Sequence, residues 1–189
     1  MQHLKEWLAG RWVFATGFMA ASLLALLPIM LTAFALPLVL IFLHSPAYML
    51  HQVEEHTGDR FRSFVNQRIF GGRDALSVAA VLVINLPLVW GLNLFALYAA
   101  YFWGAGYGLV APYAMLLNGI THIGASARFR CYNPGLVTAV VVFLPLSLWT
   151  LFVVGSVGLG FHLVALFLAV LIHAGIIANV LLRIRADAQ

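Results

Sequence analysis

The sequence predicts an all-α integral membrane protein, a bundle of about six transmembrane helices with both termini in the cytoplasm. Three observations support this prediction. Hydrophobic residues make up 63% of the 189 residues and charged residues only 8%, whereas soluble domains are roughly 25% charged. The apolar residues form runs of roughly 20 residues or more, the length that crosses a bilayer as a helix. The ten lysines and arginines are confined to alternate segments between these runs.

The composition also excludes other classes of protein. A chain of this size cannot hide so much apolar surface in its own core, so hydrocarbon must be the solvent. A net charge of +4 would suggest a nucleic-acid partner in a soluble protein, but membrane topology explains it here and no nucleic acid is expected. The single cysteine, Cys131, excludes an intramolecular disulfide framework.

Four spans are clear from the sequence, and the long run Trp12–Leu50 is divided to give two more. At about 1.5 Å per residue this run is too long for one helix, and it contains Pro28, Pro37 and Pro46. We divide it near Thr32–Pro37. The predicted spans, all in one domain, are approximately 12–32, 36–56, 75–100, 103–126, 135–154 and 159–182.

The basic residues support this division. With six spans and a cytoplasmic N-terminus, every basic residue falls in a cytoplasmic segment. These residues are Lys5, Arg11, Arg60, Arg62, Arg68, Arg73, Arg128, Arg130, Arg183 and Arg185. The outer turns carry no charge, and five spans would break the alternation. The positive-inside tendency therefore predicts cytoplasmic termini. The expected location is the inner (plasma) membrane of a bacterium.

The second span ends in an unusual run of polar and ionisable residues, His51-Gln52-Val53-Glu54-Glu55-His56. Ionisable groups within a span are costly and are functional candidates by default. At about 100° per residue, His51 and Glu55 share one face of the helix. A histidine and a carboxylate at this spacing can bind one metal ion or can share a proton. His56 lies at the polar edge and is expected to be solvated.

Polar residues of other spans are predicted to reach a similar depth. Asn118 and His122 are four residues apart near the inner end of the fourth span. Tyr132 belongs to a segment that opens the fifth span, where a proline in the first turn is well tolerated. His173 lies near mid-membrane in the sixth span, from which it could reach the same cavity. This convergence of separate helices is the main functional signal in the sequence.

At these residues the chain resembles a family of small membrane proteins named for its HXXEE motif. The resemblance is carried by His51-x-x-Glu54-Glu55, by Asn118-x-x-x-His122 and by Tyr132-x-Pro134-Gly135. It covers the chain from roughly Pro37 onward, so the first span looks like an addition. The resemblance supports this choice of residues and implies no particular reaction.

The residues favour a membrane-embedded, metal-dependent enzyme. The expected metal ligands are His51, Glu55, His122 and His173. Zinc is favoured because it lowers the pKa of a bound water to about 7, although two carboxylates with several histidines would equally suit a di-iron centre.

Hydrolysis of a lipid or another amphiphile, at the cytoplasmic side, is the preferred reaction. Glu54 is the expected general base, acting on a metal-bound water. Tyr132 or Asn118 is expected to donate a hydrogen bond to the developing oxyanion. The substrate's apolar chain would lie between helices.

Other functions and structural roles remain open. A small transporter or channel could use the same His/Glu cluster to bind a metal ion or to relay protons, with a homodimer supplying symmetry. A lipid-binding scaffold without chemistry is a third function. The glutamates could instead be solvated or paired with arginines, and Asn118 and His122 could bond neighbouring helices. His44 and His162 are expected to be structural or interfacial.

Overall fold

The protein is entirely helical in the part of the chain that is described. The structure, a computed structural model, describes the backbone of residues 2–186 and the side chains of residues 11–185, and no strand occurs within them. The all-α prediction is confirmed. The side chain of Lys5, which we assigned to the cytoplasmic side, lies outside the described residues.

Ten α-helices follow one another in the described part of the chain, and five of them continue into or out of π-helical segments. The α-helices are α1 (Gln2–Ala25), α2 (Leu27–Ala33), α3 (Leu36–His56), α4 (Arg60–Ser63), α5 (Val78–Val83), α6 (Gly91–Trp103), α7 (Val110–Phe129), α8 (Leu136–Thr138), α9 (Leu144–Val154) and α10 (Leu159–Ala186). The π-helical segments are π1 (Phe64–Ile69), π2 (Ile84–Trp90) and π3 (Ala139–Phe143). Short 3-10 turns occupy Thr57–Asp59 and Ala105–Gly108.

Five helical stretches among the described residues are long and apolar enough to cross a membrane. They are Arg11–Ala33, Leu36–Ile69, Val78–Trp103, Leu136–Val154 and Leu159–Arg185. Helix α7 is not among them, and its sequence includes Asn118, His122 and Arg128. The count of six spans therefore stays a prediction.

Local sequence explains where α3, the helix that carries the first motif, begins and ends. The chain is extended at Ala35 (ψ 148°), and Pro37 follows in the first helical turn, where a missing N–H costs no hydrogen bond. The helix ends at His56 because Gly58 (φ 67°) and Asp59 (φ 59°) are left-handed, a conformation that ends helices. The motif thus occupies the last turn and a half of α3.

Helix α3 lies at the centre of the bundle. It is buried along most of its length and packs against α1, α6, α7 and α9. The outer helices instead expose large apolar side chains, including Phe18 (78% exposed) and Phe152 (85%). An apolar exterior of this kind is suited to a hydrocarbon solvent.

Charged side chains meet at one end of the bundle. Arg183, near the end of α10, donates from Nη2 to Asp74 Oδ2 at 2.6 Å and from Nε to the Asp74 carbonyl at 2.8 Å. Arg62 pairs with Asp59 and has Nη1 at 3.8 Å from Asp74 Oδ1. The segment 59–74 and the end of α10 therefore lie together. Which side of a membrane this end faces stays a prediction.

Candidate metal centre

Three ionisable side chains from two helices form a buried cluster. His51 and Glu55 are one turn apart on α3, and His122 comes from α7, so that one ligand atom from each lies within 4.8 Å of the others. His51 Nε2 is 3.6 Å from Glu55 Oε2, and His122 Nε2 is 3.5 Å from Glu55 Oε1. The three residues are 1%, 6% and 4% exposed. We refer to these three residues as the His/Glu cluster.

The partner of His51 determines which of its ring nitrogens carries the proton. His51 Nδ1 is 2.7 Å from the Thr138 hydroxyl, and that hydroxyl donates its own proton to Glu54 Oε2 at 2.5 Å. Thr138 can therefore only accept from His51, so Nδ1 of His51 is protonated. Its Nε2 is left with a lone pair and has no hydrogen-bond partner among the described residues.

Asn133 fixes His122 in the same tautomer. Its amide nitrogen donates to the His122 carbonyl at 2.7 Å, so its oxygen is the atom that lies 2.6 Å from His122 Nδ1. An amide oxygen only accepts, and Nδ1 of His122 is therefore the donor. Its Nε2 faces Glu55 and, in the neutral ring, carries the lone pair. With both rings neutral, two lone pairs and a carboxylate would face one another, an arrangement that suits a cation.

Gly135 allows the backbone to pass close to both imidazoles. Its φ is +97°, and a Cβ at this position would lie 2.7 Å from Cε1 of His51 and 2.7 Å from Cε1 of His122. Both the left-handed backbone and the lack of space require glycine. The Tyr132-x-Pro134-Gly135 element therefore forms one wall of the cluster.

Glu54 is not a member of the cluster and binds the start of α8. Its carboxylate accepts hydrogen bonds from the backbone N–H groups of Val137 (3.0 Å) and Thr138 (2.7 Å), from the Thr138 hydroxyl and from the Tyr132 hydroxyl (2.7 Å). A carboxylate at a helix N-terminus satisfies unpaired N–H groups and interacts favourably with the helix dipole. These contacts fit a positioning role better than the general-base role that we predicted.

Tyr132 lies outside the cluster as well. Its side chain is 49% exposed and lines a surface groove with Arg60 and Arg68. Partial burial, together with the hydrogen bond to the Glu54 carboxylate, raises the pKa of the Tyr132 phenol. The phenol therefore stays protonated as the donor to Glu54, and it is turned away from any oxyanion formed at the cluster.

A cavity of about 350 Å³ opens onto the cluster. Helices α3 and α7 form its polar wall, which includes the three cluster residues and Asn118. The opposite walls come from π1, π2 and α10 and are mainly apolar, with side chains such as Leu88 and Ile176. A long apolar chain would fit this space with its polar end against the cluster.

Two predicted site residues line the cavity without joining the cluster. Asn118 lies one turn before His122 on α7, and His173 projects from α10. Ring nitrogen Nδ1 of His173 donates to the Ala169 carbonyl at 2.8 Å on its own helix. His173 is not one of the three residues whose ligand atoms converge, so the structure does not bring it to the position predicted for a metal ligand.

The expectation that His56 is solvated is wrong. His56 is 5% exposed, and its ring centroid lies 5.1 Å from that of Trp12 on α1. Its Nε2 is 3.0 Å from Glu55 Oε2. Helix α1 packs across the end of α3 and covers it, a contact between distant segments that no local pattern indicates.

Sequence reasoning also missed Thr138 and Asn133, the residues that orient the two histidines. Neither belongs to a spacing pattern with its partner, since 87 residues separate His51 from Thr138. Asn133 was visible only as part of the Tyr132-Asn133-Pro134-Gly135 string. The only signal for Asn133 was that it is a polar residue next to Tyr132, a predicted site residue. Neighbouring polar residues are common in loops.

The comparisons with known proteins agree with the resemblance that the motifs indicated. The matching family model is described as "Protein of unknown function with HXXEE motif", and it matches residues 42–150. No curated protein and no solved structure matches the chain. The matched region includes the whole His/Glu cluster, together with Asn118, Asn133 and Thr138, and it excludes α1 and α10. With more than half of its length matched, the chain belongs to the HXXEE-motif family of proteins.

Proposed function

We propose that this protein is a membrane-embedded, metal-dependent hydrolase that acts on a lipid or another amphiphile. His51, Glu55 and His122 would bind one divalent cation. The observation that supports this most strongly is the pair of Nε2 atoms, each oriented by a partner on Nδ1, that face a buried carboxylate. A buried carboxylate is unfavourable without a cationic partner, and a bound metal ion would supply one.

The geometry of the cluster fits zinc. Atoms bound at about 2.0–2.2 Å to one tetrahedral ion lie about 3.3–3.6 Å apart. His51 Nε2 is 3.6 Å from Glu55 Oε2 and His122 Nε2 is 3.5 Å from Glu55 Oε1. The three ligand atoms lie within 4.8 Å of one another, so small shifts of the side chains would complete the site. Two histidines and one glutamate are also the ligand set of several catalytic zinc sites. A di-iron centre is less well supported, because Glu54 binds the start of α8 and leaves one carboxylate in the cluster.

The cavity supports an amphiphilic substrate. Its polar wall contains the cluster and its other walls are mainly apolar, so a substrate would place its polar group at the cation and its chain between π2 and α10. A bound zinc ion would polarise a carbonyl and lower the pKa of water. The protein's own residues would orient the ligands and exclude bulk water. The mainly apolar character of these walls favours this function over an ion path.

Metal analysis of the purified protein tests the proposal. We expect about one zinc ion per chain in the wild type. Removing a ligand in His51→Ala or in His122→Ala is expected to lower affinity more than about a hundredfold, since loss of an outer partner alone costs about 10- to 100-fold. Inductively coupled plasma mass spectrometry after dialysis against a weak chelator measures this directly.

His162→Ala is the matched control for these two variants. His162 contacts Tyr113, with 2.9 Å between Nδ1 and the hydroxyl, and it lies outside the cluster, so this variant should keep its metal. A wild type without bound metal would remove the proposal. Metal retained by both cluster variants would refute the ligand assignment.

We also propose six spans, with both termini in the cytoplasm of a bacterial cell. The support is the one-sided distribution of basic residues. A reporter inserted after Gly158 is expected to be accessible from outside, whereas one fused after Gln189 should be accessible only from inside. The reverse pattern, or both reporters on one side, would overturn this orientation.

A further inference from the structure

Besides the ring nitrogens of His56, the cavity wall outside the His/Glu cluster has two polar atoms, on facing helices, without a hydrogen-bond partner among the described residues. Asn118 Oδ1 is buried and accepts no hydrogen bond among the described residues. His173 donates from Nδ1 to Ala169, so its Nε2 is left as an acceptor on the facing helix. Both residues line the same cavity. The cavity therefore offers hydrogen-bond acceptors that the protein itself does not use.

These unused acceptors limit what can bind. Buried polar atoms are nearly always hydrogen-bonded in folded proteins, and leaving one unsatisfied is costly. Purely apolar chains could fill the space but would leave Asn118 Oδ1 unpaired. A ligand with an N–H or O–H group at this level would satisfy it. The chemistry of the wall thus favours a hydrogen-bond donor in the ligand.

The spacing on α7 places this donor relative to the cation. Asn118 and His122 are four residues apart on one helix face, which is about 6 Å along the axis. A ligand whose polar end reaches the cluster would therefore present the donor group within a few bonds of that end. Beyond Asn118 the cavity is lined mainly by apolar residues, including Leu92 and Ala114. This part of the cavity would hold the hydrocarbon chain of the ligand.

We propose that the cavity binds a single-chain amphiphile with an anionic or carbonyl group for the cation and an N–H or O–H donor for Asn118. N-acylated and hydroxylated fatty-acyl compounds have this chemistry. The inference deepens the proposed function and rests on it for the cation-bound end. The choice of donor rests on Asn118 alone.

Two pairs of ligands that differ in the donor test this proposal. The first pair is N-palmitoylglycine and N-palmitoylsarcosine, which differ by replacement of N–H with N–CH₃. The second is α-hydroxypalmitic acid and palmitic acid. Each compound displaces a fluorescent fatty acid from the zinc-loaded, detergent-purified full chain. In at least one pair we expect the donor-bearing compound to bind about tenfold more tightly, the effect of one buried hydrogen bond, and that pair identifies the donor.

A matched pair of variants assigns the effect to one residue. Asn118→Leu is expected to abolish the preference within the pair. Asn93→Leu should preserve it, because Asn93 also has a buried, unpaired Oδ1 but does not line the cavity. Equal binding within both pairs by the wild type would overturn the proposal without any variant. So would a preference that persists in Asn118→Leu.

Metal analysis of the same samples separates this inference from the proposed function. A wild type that binds no zinc but still prefers the donor-bearing ligand would refute the metal-dependent function and keep the role of Asn118. One that binds zinc and shows no preference would keep the metal centre and refute the ligand chemistry proposed here.

Discussion

Replacing Gly135 with alanine is expected to lower zinc affinity by about a hundredfold or more, although Gly135 supplies no ligand atom. The new Cβ would lie 2.7 Å from Cε1 of both His51 and His122, and neither ring can withdraw without losing its orienting hydrogen bond. Loss of orienting partners alone costs about 10- to 100-fold in metal affinity, and here both ligands would be displaced. Metal content and zinc titration of the purified variant measure the effect.

Gly72→Ala is the control for backbone strain. Gly72 has a similar φ of +93°, but nothing lies within 4 Å of the position of its Cβ. Both substitutions carry a conformational cost of about 1–2 kcal/mol, so both should lower thermal stability, Gly135→Ala by more because its Cβ also clashes with two rings. Only Gly135→Ala should also lose the metal. If both variants keep it, the close approach of the backbone does not determine the position of the imidazoles.

Glu54→Ala is expected to destabilise the fold by about 2–4 kcal/mol, because it leaves the first N–H groups of α8 and the Tyr132 hydroxyl without their acceptor. This would lower the melting temperature by about 5–10 °C. Metal affinity should fall as well. Without Glu54, the Thr138 hydroxyl is free to donate to His51 Nδ1, which would move the proton to Nε2, the ligand atom.

Glu54→Gln distinguishes the two roles considered for this residue. The amide keeps one acceptor oxygen, so a positioning role predicts a loss of stability and of metal affinity about half as large as in Glu54→Ala. A general-base role predicts that both properties stay unchanged. Asp59→Asn is the control, because Asp59 is a partly exposed acidic residue near the same helix end and pairs with Arg62. A stable Glu54→Gln protein with full metal content would contradict the positioning role.

Helical periodicity put the three members of the His/Glu cluster among the predicted ligands, but it also included His173 and left open whether Glu54 or Glu55 faces the site. His51 and Glu55 share a face because they are four residues apart, and the same spacing relates Asn118 to His122. Ionisable groups in apolar helices point inward on energetic grounds, so their meeting in the interior follows from composition and pattern together. The all-helical class follows from composition alone.

The roles of individual side chains depend on contacts that no local pattern contains. Glu54 and Glu55 are adjacent in the motif, yet one binds the start of α8 and the other lies in the cluster. That difference depends on the path of the chain after α7, where Arg130 (φ 50°) and Gly135 (φ 97°) reverse its direction. His56 is buried because α1 covers it, and this packing is specified by neither sequence segment alone.

The π-helical segments affect how other members of this family should be aligned with this one. Such turns are rare and are mostly single-turn features within α-helices, often near functional sites. Each accommodates one more residue than a regular turn, and π3 lies between Thr138 and α9, close to the cluster. A relative with a regular α-helix at this position would be one residue shorter there and would keep the same fold. Gaps of a single residue should therefore be permitted inside these helices, and counting residues across π3 is not a safe guide to which side chains correspond.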